Sequence, residues 1–379
     1  MLTSSGKTRQ AIKEGTGVSM RTRIAGLGCC ALAALGLALA GCEEKPKVLR
    51  LYGWLEFVSP EVIDAFERKY GCTVEFETYD TNEAMAEHLR TDGNECCDII
   101  FPTAYFVNQL RKENRIIPID HSKCPSVRRN FCRDYQSTVP EDPDLEYFVP
   151  FGISSTGFFY ASNSIPKGVD VATWRVFGNP AVRGRISVLD DVREVIGIGL
   201  MSLGHSVNSE SAGEISAAVD LILGWIRNID HWDSEDYRYE VPSGRIWIGQ
   251  GYSANSYQVI VGDGADSARP DLAFVCPREG HIVSCDGMVV SAGCRDRDLA
   301  FAFIEFVYAD PEISRKCMEY HYSVLPSVPA LAALEPEFRE LIVPPPEVRA
   351  RGQVLRGFYE KPEVQSLYER AWERIVTAR

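Results

Sequence analysis

Between residues 48 and 110, strand-like and helix-like segments alternate. This alternation narrows the folds open to the chain more than any other feature. Val48-Leu49-Arg50-Leu51-Tyr52 reads as a strand. Ser59-Pro60-Glu61 opens a helix, with Ser as N-cap and Pro in the first turn. Its apolar residues Val62, Ile63 and Phe66 share one face, and Gly71 is placed to end it. Cys72 to Thr78 alternates in polarity and reads as a strand with one buried face. Asp80-Thr81-Asn82-Glu83 resembles a capping box for a helix carrying Met85, Ala86 and Leu89. Asp98-Ile99-Ile100-Phe101 is a third strand, running into Pro102-Thr103-Ala104-Tyr105-Phe106 and a further helix. A β-α-β-α order predicts an α/β fold with a mostly parallel sheet and helices on its faces. At 379 residues the chain exceeds one small domain, so two lobes are expected.

The later segments extend the pattern. Residues 114–146 read as irregular. Tyr147 to Gly152 and Gly157 to Tyr160 are extended and apolar, and read as the crossing to a second lobe. A helix is expected around Ala217–Ile229. Gly249 to Asn255 reads as a loop into another helix. Strands are expected at Asp271–Val275 and within His281–Val290, with helices over Asp298–Tyr308, from Asp310-Pro311-Glu312, and over Pro362–Thr377.

Between these lies an acidic corner. Arg185 to Val188 is β-like, Leu189-Asp190-Asp191-Val192-Arg193-Glu194 follows, and an apolar helix begins at Val195. Ligand crevices of open α/β sheets lie beyond the carboxyl ends of strands. The three acids therefore have two readings. One is helix capping, which needs only one of them. The other is a site for a cationic ligand.

The N-terminus reads as an export signal outside the fold. Lys7, Arg9, Lys13, Arg21 and Arg23 precede the apolar run Ile24–Ala40, which ends in Leu39-Ala40-Gly41-Cys42. That ending resembles the lipobox of bacterial lipoproteins. It implies a signal peptide over residues 1–41, lipid on Cys42 and a tether to a membrane surface. The whole chain carries −13; five basic residues and Glu14 make the leader +4, so the body is near −17 by difference. This balance argues against a basic nucleic-acid surface. Of 12 Cys, Cys29 and Cys30 leave with the leader and Cys42 carries lipid, so nine remain. An odd number precludes complete internal pairing, and most read as small buried hydrophobes. Cys96 and Cys97 are adjacent. No cofactor and no His/Cys metal cluster are expected.

Four pieces in order make the chain resemble the substrate-binding proteins of spermidine/putrescine ABC importers, in the periplasmic-binding-protein type II fold. They are Leu51-Tyr52-Gly53-Trp54-Leu55-Glu56-Phe57; Thr78 to Met85 with Phe101-Pro102-Thr103-Ala104-Tyr105; Leu189 to Glu194; and Pro277-Arg278-Glu279-Gly280 with Asp286 beyond. The resemblance implies two α/β lobes clamping a ligand at a hinge. The lobe limits are taken as 42–153 plus 285–330 and 154–284 plus 331–379. It implies that Trp54, Thr103 and Tyr105 line the first lobe, and that Asp191, Glu194 and Asp286 hold ammonium groups. Partners would be putrescine or spermidine and the membrane subunits of an ABC transporter, with the receptor itself a monomer and no enzyme. The chemistry is consistent: spaced carboxylates suit ammonium groups, and aromatic faces suit both cations and methylenes.

The sequence also departs from the family pattern. Phe57 stands where Tyr is frequent, and Tyr252 where Trp is frequent. Asn255 stands where putrescine-preferring members often carry Asp, and Ser284 replaces an aromatic residue. Tyr322 stands near a family Tyr. These five also belong to the expected ligand set. The rival readings are a carboxylate-based glycosidase and a binding lipoprotein for another small ligand.

Overall fold

The structure, a computed structural model, describes residues 47–262 and 267–379; Cys42 and the leader fall outside them. Eleven strands form a mixed sheet: β1 Lys47–Gly53, β2 Cys72–Thr78, β3 Ile99–Ile100, β4 Ile116–Ile117, β5 Val149–Ala161, β6 Ile186–Val188, β7 Ile229–Trp232, β8 Ile248–Tyr252, β9 Leu272–Val275, β10 His281–Ser291 and β11 Gly352–Val354. The main order is β2-β1-β3-β10-β5-β8-β6-β7, with β4 and β11 also on β10 and β9 also on β5.

The expected parallel character holds toward the two ends and where β11 joins β10. β1 runs parallel to β2 and β3, and β6 to β7 and β8. In the middle β10 runs antiparallel to β3 and β5, and β5 antiparallel to β8. β5 and β10 are single strands that serve both halves. Val149, Phe151 and Ile153 of β5 lie in one core, and Phe158 lies in another. β10 does the same with Cys285 and Met288 in the first core and Ile282 in the second. Between the apolar ends of β5 stand Ser154, Ser155 and Thr156, where the strand passes from one core to the next. Ser155 and Thr156 are buried there, and buried hydroxyls call for hydrogen-bond partners.

The first core gathers Leu49, Phe66, Phe101, Phe303 and Leu325, and the second gathers Trp174, Phe177, Ile196, Ile222 and Tyr368. Leu334 and Ile342 pack into the first core. The helix Pro336–Ile342, which buries Ile342, thus joins the first core beyond the expected limit at 330. A smaller cluster around Phe159, Leu189, Tyr237 and Leu272 covers another part of the second half.

Two local readings change. Residues 114–146 are not wholly irregular: they contain β4, the helix Pro125–Asn130 and a 3₁₀ segment over Arg133–Thr138. The stretch read as a loop from Gly249 is β8. Its glycines imitate loop composition for a packing reason, since a Cβ at Gly251 would lie 2.2 Å from the Tyr237 ring. Among the described residues no helix is long and apolar enough to cross a membrane.

Candidate functional site: a cleft between two cores

The acidic corner forms as the order strand, turn and helix requires. β6 ends at Val188, and the helix Val192–Ser202 begins with Asp191 as N-cap. Asp191 Oδ1 accepts from the backbone N–H of Arg193 at 2.7 Å and of Glu194 at 2.9 Å. The capping reading is thus correct for one acid. Asp190 turns to the surface and pairs with Arg379 at 2.7 Å.

Glu194 has a different environment. It is only 3% exposed. Thr156 of β5 donates to its Oε1 at 3.1 Å, and its Oε2 has no hydrogen-bond partner. Burial first, then the Asp191 charge, pushes its pKa up to about 8, against smaller opposing effects of Thr156 and Arg193. The nearest cation in sequence is diverted. Arg193 donates to Arg356 O at 2.9 Å and Asn208 Oδ1 at 3.0 Å, and stacks over Phe358 and Tyr368. A buried carboxylate left without a cation is costly, so this corner is electrostatically incomplete by itself.

The first half brings a more complete acid. Thr103 donates to Asp286 Oδ1 at 2.7 Å. Thr103 is held by Asn82, whose amide donates to its hydroxyl at 3.0 Å and whose Oδ1 accepts from its N–H at 3.1 Å. Burial raises the Asp286 pKa to about 6, partly offset by Thr103 and then by the Trp54 indole. The indole N–H lies near this carboxylate without completing a hydrogen bond. Trp54 is fixed edge-on against Tyr79 at 4.5 Å, and the Tyr79 hydroxyl is anchored on Phe101 O at 2.6 Å.

Tyrosines join the halves. Tyr105 packs against both cores. Its hydroxyl is pushed well above its ordinary pKa by burial and then by Asp191 and Glu83. Tyr252 is raised likewise by burial, then Glu194 and Asp191, with Tyr105 adding less. Tyr252 thus feels Glu194, Asp191 and Tyr105, and Tyr105 feels Asp191. Asn255 stands in the first turn of the helix Ser253–Val261, with its side chain toward the Tyr237 hydroxyl, which also takes the Tyr252 N–H at 3.0 Å.

The remaining expected residues are less directly engaged. Ser284 is half-buried on β10, opposite Ser154. Phe57 is 8% exposed and packs against Phe101, Phe151 and His321, so it supports the wall from the core. Tyr322 ends the helix Pro311–His321 in a left-handed conformation, φ 51°, with its ring on Phe338.

Four residues were not anticipated as parts of the site. Thr156 and Asn82 act through the bonds above. Glu83 was expected to close a capping box. The N-cap is instead Thr81, which accepts from Ala84 N at 3.0 Å. Glu83 is therefore one position short of the box and feels the Asp191 charge, after burial, as a cause of its raised pKa. Tyr320 lies at the junction of the halves: Gln258 donates to its carbonyl at 3.1 Å, and burial, then Glu56, raises its pKa. Arg238 to Glu56 at 3.6 Å and Lys112 to Glu360 also join the two halves. Among the described residues no cluster of three or more His, Cys, Asp or Glu is arranged to hold a metal.

A family profile described as bacterial extracellular solute-binding protein matches residues 61–342. The chain belongs to this family. It is accordingly a binding protein and not an enzyme, with the fold of periplasmic binding proteins. It is similar to a putrescine/cadaverine-binding protein of Pseudomonas aeruginosa, 29% identical over 351 residues, covering 90% of this chain and 95% of the relative. A solved putative spermidine/putrescine ABC transporter from Listeria monocytogenes superposes with TM-score 0.78 at 26% identity, covering 88% of this chain and 100% of that one. A lipoprotein of Treponema pallidum gives TM-score 0.75 at 25% identity, covering 87% and 99%.

Proposed function

We propose that the chain is an exported receptor that binds polyamines, putrescine and/or spermidine, in the cleft between its two lobes. Asp191 and Glu194 take ammonium groups from the second-lobe side, and Asp286 takes one from the first. Trp54, Tyr105 and Tyr252 supply faces for the methylenes and for cation–π contact, while Thr103, Asn255 and Ser284 contribute polar edges. The observation that carries this reading is the Glu194 carboxylate, buried with one oxygen unpartnered. An ammonium group supplies both the missing charge and the missing donor. The names of the relatives point to the same ligand class.

Closure of the lobes on ligand by hinge bending at β5 and β10 creates the form that the membrane subunits of an ABC transporter receive. The receptor acts as a monomer, held by lipid on Cys42 at the periplasmic face of a bacterial membrane. Cys42→Ala is expected to abolish partitioning of the expressed protein into detergent phase; unchanged partitioning contradicts the anchor. Calorimetric titration with putrescine, cadaverine, spermidine and a neutral sugar tests the ligand class. Saturable heats with the amines alone are expected, and binding of the sugar but no amine overturns the reading.

A further inference from the structure

We propose that Cys96 and Cys97 form a modification site, a dithiol that an external disulfide converts reversibly to a disulfide within one chain. The two Sγ atoms lie 3.5 Å apart, in contact before any bond forms. Cys97 is buried and Cys96 is half-buried, so one thiol is available for attack and the other waits behind it. Their loop is held on both sides. Arg50 grips Asp98 through Nε at 3.1 Å and Nη2 at 2.9 Å and also donates to Glu95 O. The Arg295 backbone N–H donates to Asp98 Oδ1 at 2.9 Å. The Cys96 thiol is drawn down to about 6, first by Cys97 and, beyond the opposing effect of burial, by His88. This favours the thiolate, the attacking species.

The reaction balances with a low-molecular-weight disulfide as oxidant. Cys96 thiolate attacks one sulfur of the reagent, forming a mixed disulfide and expelling a thiolate. Cys97 then loses its proton and attacks Cys96 Sγ, closing the Cys96–Cys97 bond and expelling the second thiolate. Two thiols are oxidised, one reagent disulfide is reduced, and the two protons end on the two released thiols. Consecutive residues have Cα atoms about 3.8 Å apart across a trans peptide, closer than the usual disulfide span of roughly 4.4–6.8 Å. The product is therefore strained and readily reduced, a reversible state and not a permanent staple.

This site is independent of the ligand assignment but shares a wall with it. His88 contacts the Tyr52 ring at 5.2 Å, Tyr52 contacts Tyr79 at 4.9 Å, and Tyr79 supports Trp54.

The test treats the purified full chain with glutathione disulfide, alkylates residual thiols and maps tryptic peptides by mass. The peptide Thr91–Arg111 contains Cys96 and Cys97 and no other cysteine. The expected result is loss of about 2 Da from that peptide, both thiols protected from alkylation, and full reversal by dithiothreitol. Cys97→Ser should instead trap glutathione on Cys96. Two free alkylated thiols in the treated parent, two attached glutathiones, or a link from Cys97 to Cys294 beside Asp98 each overturn the proposal.

Discussion

The two halves of the molecule hold buried acids in opposite conditions. In the first half, Asp286 accepts from Thr103, which Asn82 holds in turn. Its pKa rises only to about 6. In the second half, Glu194 has one donor and one empty oxygen beside the Asp191 charge, and its pKa rises to about 8. The first-half carboxylate is held by fixed donors, whereas the second-half carboxyl keeps an unpartnered oxygen and is driven toward its protonated form. If the proposed polyamine binds here, the half that is least satisfied alone gains most from it.

Glu194→Gln, which keeps shape and removes charge, should have the largest effect. Loss of one partner of a buried charge pair costs about 2–5 kcal/mol, so putrescine and spermidine affinity should fall about 30-fold or more. The ligand-free protein should respond oppositely. A carboxyl with a raised folded pKa contributes stability that is present below its ordinary value and lost as pH rises through about 8. Thermal melts of the variant should lose that decline. Equal affinity in parent and variant would reduce the acidic corner to a helix cap.

Asp286→Asn should have the next largest effect on putrescine titration, smaller than that of Glu194→Gln because Thr103 and Trp54 continue to furnish a polar wall. It should also remove the part of the pH dependence centred near 6. If its loss exceeds that of Glu194→Gln, the two halves have been ranked wrongly. Trp54→Ala should weaken binding least, by about 1–3 kcal/mol in the same titration, through lost apolar and cation–π contact. Folding should survive it, because Trp54 is only partly buried against the first core.

Much of this architecture is legible in sequence, since it rests on local signals. The strand–helix alternation gives β1 to β3 and their helices, and the acid-rich turn gives the corner. Less legible are features decided by distant partners. Thr156 becomes part of the site by meeting Glu194, 38 residues away, and nothing in Ser154-Ser155-Thr156 announces that contact. Glu83 differs from the capping reading by one residue of helix register, which local pattern does not fix. β8 looks like a loop because its glycines leave room for Tyr237, a neighbour in space and not in pattern. Phe57 sits in the ligand motif, yet its ring is absorbed by Phe101, Phe151 and His321.

Completion of Glu194 by an ammonium group is tested most directly by counting protons released on binding. At pH 7 a carboxyl with a pKa of about 8 is largely protonated before ligand arrives, and pairing with an ammonium requires it to ionise. Putrescine titration by calorimetry in buffers of different ionisation enthalpy should therefore report release of about one proton per ligand. The release should be nearly absent in Glu194→Gln. Affinity of the parent should climb as pH rises toward 8 and then level. Tight binding by the parent with no proton release, or the same release from Glu194→Gln, would contradict the account.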